Sequence, residues 1–215
     1  ESDINDLSVH TEMFVDAYLH LFQAGKLTGN KKINRGKMTY TFAMGSQELY
    51  DWINDNQMMQ VGPVEYVNDV DVISQNEKMV SVNSCLQVDL FGQVNSESAG
   101  LQHIGGTGGQ LDYVMGAFKS PGGKSFLCLP STRTLKDGTK ESLIRATLPE
   151  GSIVSTPRSG VHYIVTEYGA VNLKGKTTWE RAELLVSIAH PDFRDELIES
   201  AKKMGIWRGS STVVK

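Results

Sequence analysis

The hydrophobic positions follow the two-residue period of strands in some stretches and the longer period of helices in others. This pattern predicts strands at residues 7–10, 37–44, 64–67, 79–90, 94–98, 125–129 and 161–166. It predicts helices at residues 13–22, 47–53, 111–118, 178–189 and 192–204. The mixed order of strands and helices indicates an α/β fold, with an open mixed sheet and flanking helices.

Residues that start and stop helices stand where the pattern changes. Thr11 and Ser46 suit the N-caps of the first two helices, because a hydroxyl oxygen accepts a hydrogen bond from the first turn. Gly25 suits the end of the first helix, because glycine adopts a positive φ without strain. No repeat, linker or low-complexity block divides the sequence. We therefore expect one domain over residues 1–215, with 206–215 as a frayed tail.

Composition restricts the class of protein and of partner. Hydrophobic residues make up 40% and charged residues 21% of the 215 residues, which is typical of a globular protein. A chain of this length buries about 70% of its surface on folding, so its core needs no disulfide or metal. The net charge of −4 argues against a nucleic-acid partner. No apolar run approaches the roughly 20 residues of a membrane span, so no membrane partner is expected.

The cysteines, the histidines and the first residues bear on location and on metal binding. Cys85 and Cys128 form no CxxC pair, and the five histidines lack metal-binding spacing, so we expect neither a disulfide framework nor a metal site. Two isolated cysteines favour a reducing, cytoplasmic setting. The acidic start does not resemble a signal peptide, and the absence of an initiator methionine favours a piece of a longer protein.

Residues 105–109 form a glycine cluster just before a predicted helix. Neither the phosphate-binding loop nor the dinucleotide-binding fingerprint fits, because Phe118 and Leu111 stand where these patterns require glycine. Glycine-rich backbone before a helix still offers unhindered N–H groups to an anion that forms during a reaction. A plain tight turn explains the cluster equally well.

Glu12 is the acidic residue with the most informative predicted position. The pattern places it after a strand and in the first turn of a helix, at the sheet edge where α/β folds gather their sites. The helix dipole would favour an anion there. A merely stabilising charge is the commoner explanation of such a residue, and Glu167 has a similar position at a strand end.

A series of short motifs runs in a fixed order through nearly the whole chain. The motifs are residues 10–14, 30–32, 65–68, 81–84, 87–90, 92–94, 105–113, 122–125, 165–169, 173–176 and 189–194. In this order, over about residues 7–205, they resemble the C-terminal half of coenzyme A transferases of the acetyl-CoA hydrolase/transferase family. Within that family the resemblance is greatest to the 4-hydroxybutyrate CoA-transferases. Members of the family are about twice as long as this chain.

The resemblance implies ping-pong transfer of coenzyme A through a glutamate. The nucleophile of the motif falls on Glu12, which would form a mixed anhydride and then a glutamyl-CoA thioester. The oxyanion of each addition step would lie at the glycine loop, at Gly105 and Gly106, with Gly106 as the preferred donor.

The resemblance also suggests how the substrates bind. Gly108, Gln110 and Lys124 would flank the CoA, and a solvated surface position is the commoner explanation of the lysine. No permanently bound cofactor is expected, because CoA and acyl-CoA act as substrates.

The expected substrates and partners are an acyl-CoA, a small carboxylic acid of the 4-hydroxybutyrate, butyrate or acetate type, and the N-terminal half of the same enzyme. A homodimer is also expected. Two alternatives stay open: an acyl-CoA hydrolase of the same family, in which water ends the cycle, and a non-catalytic CoA-binding or assembly domain. In the last case Glu12 is only a stabilising charge.

Overall fold

The structure, a computed structural model, describes residues 3–208. These residues divide into two compact units. The first unit contains the chain up to Met79 together with Met115–Gly123, and the second contains Val80–Val114 and the chain from Lys124 onward. Each unit has a separate hydrophobic core. One domain over residues 1–215 remains a prediction, and the expected frayed tail lies outside the described residues beyond position 208.

The described residues form helices and strands in mixed order, which confirms the α/β class. The helices are α1 (Asp16–Gln23), α2 (Gln47–Ile53), α3 (Val64–Val67), α4 (Val70–Ser74), α5 (Gln110–Lys119), α6 (Thr178–Ser187) and α7 (Pro191–Lys203). The strands are β1 (His10–Phe14), β2 (Met38–Ala43), β3 (Met59–Val61), β4 (Val80–Ser84), β5 (Gln87–Asp89), β6 (Val94–Asn95), β7 (Ser98–Ala99), β8 (Gln102–His103), β9 (Lys124–Cys128), β10 (Thr132–Thr134), β11 (Lys140–Ser142), β12 (Ile144–Arg145), β13 (Tyr163–Thr166) and β14 (Gly169–Asn172). Within the described part of the chain, no helix is long and apolar enough to cross a membrane.

The first unit is built on a parallel sheet in the order β1-β2-β3. Phe14 is fully buried and stacks against Tyr18 and Trp52, with ring centroids 4.9 and 5.9 Å away. Because these rings come from β1, α1 and α2, burial of their apolar surface holds both helices on the sheet.

The ends of α1 and α2 show which capping predictions were correct. Gly25, with φ of 67°, follows the C-cap of α1, and its N–H donates to the Phe22 carbonyl at 2.8 Å. The Ser46 hydroxyl caps α2 by accepting from the Leu49 N–H at 3.2 Å. Both predictions are confirmed. Thr11 is not an N-cap, because α1 begins only after Val15.

The second unit contains a four-stranded sheet in the order β14-β13-β9-β4. β4, β9 and β13 run parallel, and β14 closes the edge as an antiparallel neighbour of β13. The buried face of this sheet includes Leu127 and Ile164, which share a core with Leu185 of α6. A smaller sheet, in the order β12-β5-β6, lies in the same unit.

The long strand predicted at 79–90 is wrong, because the chain changes sheets in its middle. β4 pairs with β9, whereas β5 pairs with β6 and β12. At the break, the Cys85 N–H donates to the Cys128 carbonyl and the Leu86 N–H donates to the Asn95 carbonyl. The two-residue alternation continues through both strands, so the sequence pattern alone does not reveal a change of partner.

The strand predicted at 64–67 is also wrong, because these residues form the helical turn α3. The N–H groups of Tyr66 and Val67 both donate to the Pro63 carbonyl at 3.0 Å, and Pro63 occupies the N-cap position. Valine-rich residues favour strands in general, but these local hydrogen bonds decide the conformation here.

Candidate active site

Glu12 lies in the middle of β1, and its predicted position in the first turn of a helix is wrong. The backbone of β1 pairs with β2 from His10 opposite Thr39 to Phe14 opposite Ala43. The backbone of these residues therefore belongs to the sheet and not to a helix. The first acidic residue of α1 is Asp16. The helix dipole consequently plays no part in placing Glu12.

Asn68, just after α3, holds the Glu12 carboxylate. Its Nδ2 donates a hydrogen bond to Glu12 Oε2. Asn68 is 8% exposed, and its Oδ1 is buried without a hydrogen-bond partner among the described residues. The sequence included Asn68 in a motif but gave it no role, because its partner is distant in the chain. One oxygen of Glu12 is thus oriented by a fixed amide.

His10, two residues before Glu12, fixes the segment that carries Asn68. Its Nε2 lies 2.8 Å from the carbonyl oxygen of Val67. Because a carbonyl oxygen only accepts hydrogen bonds, Nε2 must carry the proton. Burial lowers the pKa of His10 to about 4, so the ring is neutral near pH 7. A neutral, buried imidazole therefore anchors the residue next to Asn68.

Lys31 brings a buried positive charge to the same sheet. Its Nζ donates to Thr39 Oγ1 at 2.8 Å, and burial lowers its pKa to about 8. Thr39 pairs with His10, so the side chains of Thr39, His10 and Glu12 share one face of the β1–β2 pair. This sheet face carries a carboxylate, a neutral imidazole and an ammonium group.

The glycine loop of the second unit is anchored by the turn before it. Asn95 Oδ1 accepts hydrogen bonds from the N–H groups of Glu97 and Ser98, each at 3.0 Å. The Glu97 carbonyl then accepts from the N–H groups of Ile104, at 2.7 Å, and Gly105, at 3.2 Å. The sequence analysis missed Asn95 and Glu97. Both residues are separated from the glycine cluster by the β7–β8 hairpin, and no motif or periodicity in the sequence marks their role.

These bonds distinguish the two glycines that the sequence selected. The N–H of Gly105 is engaged by Glu97, whereas that of Gly106 has no hydrogen-bond partner within residues 3–208. A Cβ placed at Gly106 would meet nothing within 4 Å, so the backbone there is open to a ligand. The geometry favours Gly106 over Gly105 as a donor to an anion.

The residues expected to flank CoA occupy the second unit. Gly108 has a φ of 49° just before α5, a conformation that favours glycine. Gln110 Nε2 donates to Thr156 Oγ1 at 3.1 Å, and Lys124 is exposed at the start of β9. Their contact with CoA remains a prediction.

Glu167, the acidic residue at the other predicted strand end, is held by hydrogen bonds within the second unit. It follows β13, and its carboxylate accepts from the Ser131 N–H at 2.8 Å and the Ser131 hydroxyl at 2.5 Å. Desolvation works to raise the pKa of Glu167, but the hydrogen bonds from Ser131 outweigh it and hold that pKa below its ordinary value. Both oxygens are occupied, which favours Glu12 as the reactive carboxylate. Glu12 belongs to the first unit and the glycine loop to the second, so their meeting in one site stays a prediction.

Comparisons with known proteins define the family. The model of the acetyl-CoA hydrolase/transferase C-terminal domain matches residues 45–201. The chain therefore belongs to the acetyl-CoA hydrolase/transferase family, as its motifs predicted. It is 55% identical over 99% of its length to a probable butyrate:acetyl-CoA coenzyme A-transferase of Syntrophomonas wolfei. It is 47% identical over 92% of its length to a 4-hydroxybutyrate coenzyme A transferase of Clostridium kluyveri.

Solved structures agree with this assignment. RipA from Yersinia pestis is 46% identical and superimposes with a TM-score of 0.87 over 95% of the chain. The 4-hydroxybutyrate CoA-transferase of Porphyromonas gingivalis is 41% identical, with a TM-score of 0.77 over 93% of the chain. The chain spans about half the length of these relatives, 46% of each structure and 47% of the Syntrophomonas protein.

The buried His10 predicts acid-sensitive stability. The folded protein keeps the ring neutral down to about pH 4, whereas the unfolded chain protonates it near 6.5. Stability from this residue is complete above pH 6.5 and is lost as the pH falls towards 4, by on the order of 3 kcal/mol. We expect His10→Gln, which keeps an N–H donor, to reduce the pH dependence of the unfolding free energy in that range.

Chemical denaturation between pH 4 and 7 measures this effect as the difference between wild type and variant. The matched control is His103→Gln, since His103 is exposed in β8 and its replacement should leave the pH dependence unchanged. Identical slopes for wild type and His10→Gln would contradict the assignment of a buried neutral ring.

Proposed function

We propose that this chain is the C-terminal half of a CoA-transferase that moves coenzyme A between a short-chain acyl-CoA and a free carboxylate. The observation that carries the proposal is the Glu12 carboxylate, held through one oxygen by the buried Asn68 amide. High identity to enzymes named butyrate:acetyl-CoA and 4-hydroxybutyrate CoA-transferases supports it. The substrates would be of the 4-hydroxybutyrate, butyrate or acetate type.

In the first half-reaction Glu12 acts as the nucleophile. A carboxylate oxygen attacks the thioester carbonyl of acyl-CoA, and the C–S bond breaks to give an acyl-glutamyl anhydride and the CoA thiolate. The thiolate then attacks the glutamyl carbonyl, which releases the first carboxylate and leaves a glutamyl-CoA thioester. A second carboxylate reverses these steps. An activated acyl group, as a thioester or as an anhydride, is present at every stage, so no outside energy source is required.

Each addition step creates an oxyanion that needs hydrogen-bond donors. The open N–H of Gly106 is suited to this task, and loss of one such donor typically costs about 2.7–4 kcal/mol in transition-state stabilisation. Lys31 is protonated below about pH 8 and adds positive potential on the sheet face of Glu12, where the anionic substrates react. Gly108, Gln110 and Lys124 would contact CoA, which acts as a substrate and not as a bound cofactor.

A covalent intermediate on Glu12 is the direct test of this mechanism. Incubating the complete protein with acyl-CoA should join CoA to the Glu12 side chain, and peptide mass spectrometry should locate it there. Borohydride should reduce this thioester to an alcohol. Glu12→Gln should form no adduct and should lose activity by a factor on the order of 10⁴ or more, because an amide is a poor nucleophile.

Glu167→Gln is the matched control, since it changes the same residue type at the other strand-end position. This variant should still form the adduct on Glu12. Near-normal turnover by Glu12→Ala, or a label on Glu167, would refute Glu12 as the nucleophile. A complete protein that forms no adduct on any residue would support the non-catalytic alternative.

Hydrolysis is the second candidate activity, because acetyl-CoA hydrolases are also relatives. One from Kluyveromyces lactis is 26% identical over 93% of the chain, well below the identity to the transferases. We expect acetyl-CoA consumption by the complete protein to require butyrate and to yield butyryl-CoA. Equal consumption without butyrate, with release of free CoA, would identify a hydrolase. The assay follows both CoA products by chromatography.

The N-terminal half of the same enzyme is the proposed partner, and an apolar sheet face in the second unit is suited to it. Val80 and Val82 of β4 are 56% and 66% exposed, and Val82 is in register with Phe126 of β9. The opposite face contains the fully buried Leu127 and Ile164. Parallel sheets are normally covered on both faces, and the relatives contain about as much chain again.

In the complete protein, Val82→Glu should lower the unfolding free energy by at least about 3 kcal/mol, because it would bury an unpaired charge. Val61→Glu is the control, as Val61 has the same 66% exposure in β3. Denaturant unfolding compares the two variants. Equal effects below about 0.5 kcal/mol would show that the β4 face is solvated.

Two further features belong to the proposal. Cys85 and Cys128 are both free, which fits a reducing compartment such as the cytoplasm. The complete enzyme would form a homodimer.

A further inference from the structure

A cavity in the second unit lies beside the glycine loop. Its volume is about 150 Å³, and most of its lining is apolar. Leu86, Ala99, Ile104 and Leu143 contribute to its wall, with Arg133 as the charged lining residue. These residues come from segments that are distant in the sequence, and the sequence analysis predicted no cavity there.

The cavity wall and the proposed oxyanion donor belong to one hydrogen-bonded element. Ile104 lines the cavity, and Gly106 follows two residues later, so their Cα atoms are at most about 7.6 Å apart. The Glu97 carbonyl accepts from the N–H of Ile104, and Ala99, on the opposite side of this turn, also lines the cavity. An acyl carbonyl bound at Gly106 would therefore have its hydrocarbon tail within reach of the cavity.

We propose that this cavity receives the hydrocarbon tail of the transferred acyl group and thereby selects short-chain substrates of about four to six carbons. The inference rests on the proposed CoA-transferase function. An apolar protein cavity of about 150 Å³ holds one benzene molecule, which is six carbons. An acetyl group would leave most of this half-open cavity empty, and carbons beyond about the sixth would extend into solvent without further apolar contact.

The charges near the cavity favour an uncharged tail. Arg133 Nε forms an ion pair with Glu141, and Arg145 also donates to Glu141, at 2.7 Å. Because Glu141 already offsets the positive charge of Arg133, a second carboxylate at the end of the tail would gain little attraction there. A monocarboxylate such as butyrate therefore fits the cavity better than a dicarboxylate such as succinate.

Filling and widening the cavity test this inference in the complete protein. Ala99→Leu should lower the ratio of kcat/KM for butyryl-CoA to that for acetyl-CoA by at least about tenfold, because space for one or two methylenes is lost. Leu86→Ala should raise the relative kcat/KM for hexanoyl-CoA and octanoyl-CoA. Ala17→Leu is the matched control, because Ala17 is exposed in α1 of the first unit and its replacement should leave the chain-length profile unchanged.

Folding of each variant is checked by circular dichroism and thermal unfolding. If Ala99→Leu does not fold, the smaller substitution Ala99→Val and the cavity-widening substitution Leu86→Ala test the role of the cavity instead. An unchanged chain-length profile in the folded cavity variants would overturn the inference, as would an equal change in Ala17→Leu.

Direct binding separates failure of this inference from failure of the proposed function. Calorimetric titration of the wild-type protein with acetate, butyrate and hexanoate should show tighter binding of the longer two acids. Ala99→Leu should abolish that preference, whether or not the enzyme turns over acyl-CoA. Equal affinity for the three acids, or no binding of any of them, would overturn the cavity assignment. Absence of turnover together with the expected binding order would refute only the transferase activity.

Discussion

Ionisable side chains on a partly buried sheet face must find hydrogen-bond partners, because desolvation otherwise costs several kcal/mol for each charge. In the first unit every such group on the β1–β2 face has a fixed partner. Glu12 accepts from Asn68, His10 contacts the Val67 carbonyl, and Lys31 donates to Thr39. Because Val67 ends α3 and Asn68 follows it, two of these contacts depend on this short helical turn, which positions the carboxylate. A reactive group held in this way is oriented before any substrate arrives.

In the second unit, hydrogen bonds fix the turn that precedes the glycine loop. A loop that presents a free N–H must use its other backbone groups elsewhere, or it would not keep one conformation. The Glu97 carbonyl engages the two N–H groups before Gly106, and the Asn95 side chain holds Glu97 in place. Hydrogen bonds outside regular helices and strands therefore fix the candidate residues in each unit.

Family membership rests on agreement between the sequence match and the superposition with RipA and a 4-hydroxybutyrate CoA-transferase. The chain corresponds to about half of each relative. An exposed apolar face on the four-stranded sheet is unusual for parallel strands, and it has the character of a surface that a further layer covers. The chemistry proposed for Glu12 would take place in the complete protein, in which water could be kept away from a reactive anhydride.

The sequence by itself determined the α/β class, the five longer helices, the strands β2, β9 and β13, the Ser46 cap, the end of α1 at Gly25, and the family. These features depend on local periodicity and on motif order, and both can be read from the sequence alone. It misplaced Glu12 in a helix, joined β4 to β5 and made α3 a strand. In each case the alternation of apolar residues fits both structures, and only the hydrogen-bond partner differs.

Tertiary structure alone decided which groups surround the candidate residues. Asn68 lies 56 positions from Glu12 in the chain, and no local pattern links the two. The choice between Gly105 and Gly106 depends on the Glu97 carbonyl, and the cavity wall combines residues from β5 to β11 and their connections. Long-range hydrogen bonds and packing are set by the fold as a whole, so they leave no periodic signal in the sequence.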